Sequence, residues 1–493
     1  MRTSNLSLVA LLVLSGCLLG PNYERPAVDA PPAFRFAESD AKDLVNTAWW
    51  EQFQDPALNA LIATALADNK DVKIAAARVE QFLGQFETTR SQLFPQVAAG
   101  FDAQRQRTTQ RGPTPLPLGI SPVFNQFQAT LSASWEIDFF GKLRRQTEAA
   151  RANLLSSEEG RRATILTLVA SVASSYVNLL SLDRQLDIAK STVASRAASV
   201  NVFQLRFSGG EVSQMELAQS QSEYQASLAT IPQIELQIAQ QEDALSILLG
   251  HNPEVIARDR ELDDLALPAV PAGLPSELLE RRPDLRQAEQ DLIAANALIG
   301  AARALYFPSI SLTGLFGSAS TQFSSLFTGP ARVWSYAGAA TLPIFTAGSI
   351  SGQVKQAEAQ QQQALFQYQK SIQVAFQEVA DALVSLQKTR EQLVVQGSQV
   401  DALRSYARLA RLRFEGGYTS YIEVLDAERS LFNAQLSYAQ MQGVVFTSTV
   451  SLYKAMGGGW VTDAEHMTST TYDGTTVMVN PGAAATQTKG PAP

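Results

Sequence analysis

Few residues of this chain have side chains that catalysis or metal binding commonly uses. Only two of its 493 residues are histidine, His251 and His466, and Cys17 is its single cysteine. His251 follows a predicted helix end, a position typical of a side chain that bonds terminal carbonyl groups. Ser451-Leu-Tyr-Lys454 matches the Ser-x-x-Lys pattern of β-lactamases, but no companion motif accompanies it. The sequence therefore predicts no enzyme, no metal site and no cofactor.

Cys17 ends a short apolar segment at the N-terminus. Arg2 precedes the apolar run 6–14, which is too short to span a bilayer and is typical of a signal peptide. Leu14-Ser15-Gly16-Cys17 resembles the bacterial lipobox, in which the cysteine is acylated, with palmitate among the chains expected. Leu18 follows this cysteine. An Asp at that position would retain the protein in the inner membrane, so Leu18 favours export to the outer membrane. We expect a signal peptide over 1–16, lipidation of Cys17, and a Pro-rich, lipid-anchored extended tether over 17–34.

The charge balance argues against a nucleic-acid partner. The chain has a net charge of -8, a pI near 5.1 and no cluster of Lys and Arg. Proteins that bind nucleic acid carry a basic patch or stripe, because they must neutralise phosphates. We therefore expect no nucleic-acid binding.

The second half of the chain repeats the first. The repeated motif reads Arg206-Phe207-x-Gly209-Gly210-x-x-Ser213 and then Arg413-Phe414-x-Gly416-Gly417-x-x-Ser420, at an offset of 207. Upstream, Phe94-Pro95 recurs as Phe307-Pro308 at an offset of 213. We expect repeat 1 over 35–250, an equatorial linker over 251–282, repeat 2 over 283–460 and a flexible tail, rich in Thr, Gly, Ala and Pro, over 461–493.

Four segments alternate apolar and polar residues with a period of two. They lie near 95–107, 124–138, 308–317 and 332–345. Apolar-out, polar-in alternation is typical of transmembrane β-barrel strands, although a half-buried soluble sheet has the same pattern. Four strands cannot close a barrel, and an open edge is not tolerated in lipid. If these strands span a membrane, the chain must oligomerise, and strand counting leaves a dimer, trimer or tetramer open.

Long helical hairpins follow each pair of strands. Residues 142–207 and 349–414 contain no proline and predict helices of about 66 residues, or roughly 100 Å. Each long helix ends at a Gly-Gly pair, and a shorter helix then runs back along it. The resulting hairpins are predicted near 142–249 and 349–456. Shorter helices, near 69–93 and 283–305, are predicted to stack on the return helices. The expected fold is an α+β membrane protein with four strands above a column of helices.

The motifs together resemble the TolC-like outer-membrane factor family, in its lipoprotein, multidrug-efflux branch. The resemblance covers about 17–460 and rests mainly on these segments: Gly20-Pro21-x-Tyr23-x-x-Pro26, Trp49-Trp50-x-x-Phe53-x-Asp55-Pro56, Arg281-Arg282-Pro283-Asp284-Leu285-Arg286, Phe307-Pro308-Ser309-Ile310-Ser311-Leu312 and Leu425-Asp426-Ala427-x-Arg429-Ser430-Leu431. It implies a homotrimer with a 12-stranded transmembrane β-barrel and a long periplasmic α-barrel. It also implies an equatorial belt, here from about 35–67, 250–282 and the residues after Gly457.

The resemblance implies passive export across the outer membrane of a Gram-negative bacterium. A lipid-anchored channel would conduct drugs and other toxic small molecules from an inner-membrane RND-type pump and a periplasmic membrane-fusion adaptor to the exterior. A type I protein-secretion channel is the alternative within this class, but the lipobox and tether favour small-molecule efflux. A periplasmic coiled-coil adaptor lipoprotein is a further alternative, against which the paired strand hairpins argue.

The hairpin tips are the adaptor-docking surface that the resemblance implies. The residues concerned are Arg206, Phe207, Gly209, Gly210 and Ser213 in repeat 1, and Arg413, Phe414, Gly416, Gly417 and Ser420 in repeat 2. The glycines also have a physical reason, since a tight reversal between helices needs a positive φ.

A periplasmic gate is the second site that the resemblance implies. Ile422 and Asp426 are one helical turn apart and so lie on one face of the return helix. They match the hydrophobic and acidic constriction rings of multidrug-efflux members. Three Asp426 carboxylates at a threefold axis would repel one another, which favours a bound cation or opening.

Three further residues are predicted to clamp the closed gate through salt bridges and hydrogen bonds: Arg429, Arg413 and Tyr418. The alternative is that Asp426 is an ordinary helix carboxylate with Arg429 as its i+3 partner. Repeat 1 has Met215 and Gln219 at the positions of Ile422 and Asp426, so only repeat 2 carries the acidic residue.

Overall fold

A computed structural model of the chain describes residues 18–28, 31, 34, 48–109, 121–270, 275–457, 460, 461, 464, 467 and 468. The predicted signal peptide and the lipidation site Cys17 lie outside these residues, as does most of the predicted tail. Those expectations stay predictions.

The four strands form one antiparallel sheet in the order β1-β2-β3-β4. Their bounds are β1 (Gln96–Arg107), β2 (Val123–Ile137), β3 (Ser309–Ser320) and β4 (Arg332–Thr341). Each repeat contributes one hairpin, and β2 pairs with β3 to join the two repeats. The register brings Leu131 beside Phe316, and Phe316 beside Trp334, so the apolar residues share one face of the sheet.

The predicted extent of two strands is wrong at one end. β3 continues to Ser320, three residues beyond the expected limit, and β4 ends at Thr341, four residues before it. Leu342 and Ile344 continue the apolar alternation, but Pro343 between them has no N–H to donate to a β-ladder. The alternation alone therefore overestimated the length of β4.

The helices carry most of the chain. They are α1 (Pro56–Asp68), α2 (Lys70–Ser91), α3 (Lys142–Ser208), α4 (Gln214–Leu249), α5 (Pro275–Arg281), α6 (Pro283–Ala304), α7 (Ser349–Glu415) and α8 (Tyr421–Ala455). The long helices α3 and α7 each have 67 residues, about 100 Å. Nearest the sheet, helices pack in the order α2-α3-α6-α7, and farther away in the order α4-α3-α8-α7.

One helix in the described part of the chain, α3, is long and apolar enough to cross a membrane by length and composition. Its apolar stretch is two-thirds buried inside the protein, with Val172, Ala173 and Tyr176 fully enclosed. This apolar character therefore belongs to a core helix, around which the other helices pack.

The short helices stack end to end on the return helices. At one junction, the Asn69 side-chain amide donates to the carbonyl of Leu248 at 2.8 Å, while its oxygen caps the first turn of α2. At the other, the Arg282 guanidinium donates to the carbonyl of Ala455 at 3.1 Å. The composite columns α4–α2 and α8–α6 thereby match the long helices in length.

Gly250 at the first junction is under two constraints. Its φ is +79°, and an added Cβ would lie 2.3 Å from the carbonyl oxygen of Asp68. Gly210 has a similar φ of +75° but nothing within 4 Å of an added Cβ. We expect Gly250→Ala to destabilise the protein by about 3 kcal/mol or more, and Gly210→Ala by about 1 kcal/mol. Thermal unfolding of the purified protein at one scan rate would test this; equal shifts would show that the junction contact is unimportant.

Three distant segments form the largest core around α3. Trp49 stacks on Tyr453 with ring centroids 5.2 Å apart, and Trp50 meets Trp460 edge-on at 5.1 Å. Asp55 is buried, caps α1 and accepts a 2.8 Å hydrogen bond from the Tyr176 hydroxyl. Residues from 256 to 265 complete this cluster. The described parts of the segments that the resemblance assigned to an equatorial belt thus pack together.

The predicted flexible tail begins too early. Val461 and Ala464 are buried in the same core, and the Arg161 guanidinium donates to the Thr468 hydroxyl at 2.9 Å. The physical reason is that Trp460 and Val461 cover the apolar surface of the paired tryptophans. The predicted linker over 251–282 likewise includes a regular element, α5.

Candidate functional site

The two hairpin tips have the same backbone geometry. In repeat 1, Gly210 has φ +75°, its N–H donates to the carbonyl of Phe207, and the Glu211 N–H donates to that of Arg206. In repeat 2, Gly417 has φ +72° and the equivalent donors reach Phe414 and Arg413. Both turns are therefore Schellman motifs, which satisfy the last carbonyl groups of the long helices.

The helix that follows each turn begins at a serine. Ser213 forms a capping box with Glu216, in which each side chain bonds the other's backbone N–H. Ser420 occupies the same position but makes no side-chain capping bond. Its hairpin uses Glu423 differently, since this carboxylate accepts from the Thr419 hydroxyl and from Arg413 at 3.2 Å.

An aromatic cluster joins the two tips. The ring of Phe203 lies 4.0 Å from that of Tyr421 and 6.0 Å from that of Phe414, centroid to centroid. Phe207 and Tyr418 remain exposed, by 38% and 80%. The repeat motif pointed to Phe207 and Phe414 but missed Phe203 and Tyr421, which only the packing between repeats identifies.

Ile422 and Asp426 lie on one face of α8, as their spacing predicts. Both line a cavity of about 390 Å³, the Asp426 cavity, together with Gln219 and Glu223 of α4 and Tyr406 of α7. Ile422 is 55% exposed. Gln219 is the repeat 1 equivalent of Asp426, so the two related positions meet at the same cavity with different side chains.

The proposed clamp residues do not converge within one protomer. Arg429 donates to Asp426 at 2.8 Å, which is the local i+3 pair of the alternative interpretation. Arg413 pairs with Glu423 instead, and the ring of Tyr418 lies over Gly416. Both groups of the Asp426–Arg429 pair are more than half exposed, so its contribution to stability is a few tenths of a kcal/mol.

A basic groove of about 400 Å³ runs along the opposite side of α8. It is lined by Arg404, Arg408 and Arg411 of α7, Arg196 of α3, and Glu428 and Phe432 of α8, among others. Glu428 is two residues, or about 200°, around the helix from Asp426. On α7, likewise, Tyr406 of the Asp426 cavity lies about 200° from Arg404 and Arg408. The cavity and the groove therefore open on opposite faces of this helix layer.

Arg196 is the buried member of the basic groove. Its guanidinium donates to the carbonyl of Glu223 at 2.7 Å and lies 5.5 Å from the Phe432 ring centroid. Arg411 pairs with Glu428, whereas Arg404 pairs with Asp401 at 2.8 Å. The sequence interpretation missed this groove, although the i, i+4, i+7 spacing of Arg404, Arg408 and Arg411 is a signal for it.

The described part of the tether crosses α3, α6 and α7 near the sheet. Gly20, with φ +90°, lies so close to Gly300 that an added Cβ would be 2.4 Å from the Gly300 Cα. The buried Arg145 guanidinium donates to the carbonyl of Leu19 at 3.0 Å and to the Asn22 side chain at 2.8 Å. The glycine of the Gly-Pro-x-Tyr motif is thus needed for a backbone-to-backbone contact.

The tyrosine of that motif has its own partner. The Tyr23 hydroxyl donates to Glu289 at 2.9 Å, and burial together with this carboxylate raises the pKa of Tyr23 above its usual value. Arg25 forms ion pairs with Glu280 and Glu289. The segment therefore has a defined docking position against α3, α5 and α6.

Comparison with known proteins identifies this architecture. The family model "Outer membrane efflux protein" matches residues 61–251 and 274–458. The probable efflux pump outer membrane protein TtgC of Pseudomonas putida is 38% identical over 471 residues, covering 93% of this chain and 96% of that protein. The cation efflux system protein CusC of Escherichia coli is 36% identical, covering 91% and 97%. A solved structure of the outer-membrane channel OprN superposes with a TM-score of 0.84 at 29% identity, covering 90% of this chain and all of that one.

The chain belongs to the outer membrane efflux protein family. The predicted role as an outer-membrane exit channel for efflux, and the predicted location in the outer membrane with an extension into the periplasm, are confirmed. The family is one of channels and not of enzymes.

Proposed function

We propose that three copies of this chain form one duct. The observation that carries this proposal is a four-stranded sheet with a largely exposed apolar face, joined to helical hairpins about 100 Å long. In the described residues β1 pairs only with β2, and β4 only with β3, so both outer strands have free edges. Leu131, Phe316 and Trp334 are 50%, 62% and 68% exposed on the apolar face. Three sheets joined edge to edge give a closed barrel of twelve strands, whose apolar face contacts lipid.

Trimer formation is testable on the membrane-extracted protein. We expect migration at three times the chain mass in mild detergent, and at the mass of one chain after heating. A particle of one-chain mass, or extraction with the inner membrane, would contradict the proposal.

The duct is proposed to be the last part of a tripartite efflux system. An inner-membrane RND-type pump supplies the energy, a periplasmic membrane-fusion adaptor connects pump and channel, and the channel conducts small molecules passively. Acylation of Cys17 would anchor each protomer in outer-membrane lipid. The docked tether supports this, because it leads the chain from Arg25 toward the sheet end of the helices.

Ile422 and Asp426 are proposed to form the periplasmic gate. Ile422 supplies an apolar ring and Asp426 an acidic ring at the threefold axis, and their shared face on α8 supports this arrangement. Arg429 neutralises Asp426 locally, so the net charge of the ring depends on whether this exposed pair is formed. Arg413 and Tyr418, at the tip, would contact the neighbouring protomer or the adaptor.

The hairpin tips are proposed to dock the adaptor, and the basic groove, on the face away from Asp426, would extend this surface. Phe207 is an exposed aromatic side chain at the tip, the type of residue that dominates protein interfaces. We expect Phe207→Ala to weaken binding of the periplasmic adaptor by more than about tenfold. Surface plasmon resonance with the soluble adaptor on the immobilised trimer would measure this.

Leu228 provides the matched control for that variant. It has the same 38% exposure as Phe207 but lies on α4, about 20 Å from the tip. We expect Leu228→Ala to bind the adaptor as the native protein does. Equal losses in the two variants, or none in either, would place the docking surface elsewhere.

A further inference from the structure

A second cavity, without any charged lining residue, lies on the same side of α8 as Asp426. It has a volume of about 580 Å³ and opens between α3, α4 and α8. Six glutamines line it: Gln185, Gln233, Gln237, Gln240, Gln241 and Gln440. We call this cavity the amide groove. Its size is within the range of pockets that bind drug-sized organic molecules.

Most of these amides have unused hydrogen-bonding groups. Gln185 and Gln241 donate to the backbone carbonyls of Ser181 and Ser175. Within the described ranges, Gln237 and Gln440 have no hydrogen-bond partner in the protein, and both are exposed. Each offers two donors and one acceptor oxygen to a solute.

The groove also has an apolar floor. Leu182, Ile234 and Leu436 line it, and Ile234 is only 4% exposed because it packs in a small cluster with Ala189 and Phe432. An apolar base with amide groups around it presents an amphipathic surface. A solute can bury an aromatic or aliphatic part on the floor while the amides replace water around its polar groups.

Helix geometry relates the groove to the acidic position. Gln440 follows Asp426 by fourteen residues on α8, which is nearly four turns, so the two side chains project within about 40° of each other. The distance along the helix is about 21 Å, in the direction of the sheet. Val444 lies five turns from Asp426, on the same face. If Asp426 faces the duct, the amide groove therefore lies in the duct wall on the exit side of the gate.

We propose that the amide groove is a binding site in the duct wall for uncharged amphiphilic organic molecules. This inference rests on the proposed function for the orientation of α8. A lining without charge offers no ion pair to a charged solute, whereas amides around an apolar floor match a neutral amphiphilic one. Binding through a few solvated amides is weak, as passage requires, because a solute that binds tightly cannot leave. The groove would select for neutral hydrogen-bonding solutes that have passed the acidic ring.

A fluorinated probe set of equal size tests the proposed chemistry. The probes are 4-fluoroacetanilide, which is neutral, 4-fluorobenzoate and 4-fluorobenzylammonium, and binding to the purified trimer is followed by fluorine NMR line broadening. We expect saturable binding of the neutral probe and at least threefold weaker binding of both ions. The double variant Gln237→Leu, Gln440→Leu should bind the neutral probe about tenfold more weakly, since two hydrogen bonds are lost.

Gln373→Leu is the matched control, because Gln373 is an exposed glutamine of α7 outside the groove. It should bind the neutral probe as the native trimer does. Absence of saturable binding to the native trimer, equal binding by the double variant, or preference for either ion would overturn the proposed site.

A second measurement tests whether Gln440 lies in the duct, independently of whether the amide groove binds the probe. Gln440→Cys, in the channel held in a planar bilayer, is treated with a membrane-impermeant charged methanethiosulfonate. We expect a stepwise change in single-channel current, because the modified side chain lies in the duct. Binding of the neutral probe with no current change would contradict the orientation of α8. A current change without probe binding would support the duct and contradict the amide groove.

Discussion

Replacement of Asp426 by alanine is expected to abolish most of the block of the channel by multivalent cations. In the proposed trimer, three Asp426 carboxylates meet at one level of the duct, and a trivalent ion such as lanthanum binds to all three. Each charge-assisted contact contributes about 1.5–3 kcal/mol, so losing the ring raises the half-blocking concentration by well over tenfold. The measurement is single-channel current in a planar bilayer, with lanthanum added from the side of the helical tips.

Two further variants accompany this experiment: one is a control, and the other should change the block in the opposite direction. Asp401 pairs with Arg404 at 2.8 Å across three residues, as Asp426 does with Arg429, so Asp401→Ala removes an equivalent exposed pair outside the Asp426 cavity. It should leave the lanthanum block unchanged. Arg429→Ala releases the Asp426 carboxylate and should lower the half-blocking concentration. Native block in the Asp426→Ala variant would show that α8 does not present this face to the duct.

The regular elements could be predicted from the sequence because their signals are local. The long helices α3 and α7 end at Gly-Gly pairs, and the observed ends, Ser208 and Glu415, lie within one residue of the expected limits. Strand alternation predicted β1 and β2 equally well. It failed at the end of β4, where the side-chain pattern continues but Pro343 lacks the N–H that a ladder needs.

Contacts between distant segments could not be predicted in this way. Val461 follows a Gly-rich stretch and is predicted to begin a flexible tail, yet Trp460 and Val461 are both buried against residues near the N-terminus. The pairing of Phe203 with Tyr421 depends on how the two repeats pack, which neither repeat specifies alone. For the gate, the shared face of Ile422 and Asp426 followed from helical spacing. The same spacing also predicts Arg429 as the i+3 partner of Asp426, and the structure shows this pair.

Arg145 also makes contacts with residues distant in sequence, since it holds Leu19 and Asn22 of the tether. The substitution Arg145→Met is expected to release the tether from the helices. The Arg145 side chain is 2% exposed and holds the carbonyl of Leu19, the side chain of Asn22 and the carboxylate of Glu148. Methionine keeps much of the volume but removes every donor to these partly buried acceptors. Loss of hydrogen bonds to a charged group costs about 1.5–3 kcal/mol. We expect a lower apparent melting temperature and rapid chymotryptic cleavage after Tyr23, a bond that docking protects in the native protein.

Arg144→Met is the control for this prediction, since Arg144 is the preceding residue of α3 and its side chain is 39% exposed. It pairs with Asp138, whose carboxylate still accepts the backbone N–H of Leu143 after the substitution. Loss of an exposed pair costs less than about 1 kcal/mol, so chymotryptic cleavage after Tyr23 should remain slow. Equal protection of the bond after Tyr23 in the two variants would mean that the contacts of Tyr23 and Arg25 with Glu289 hold the tether without Arg145. In that case Tyr23→Phe combined with Arg145→Met should release it.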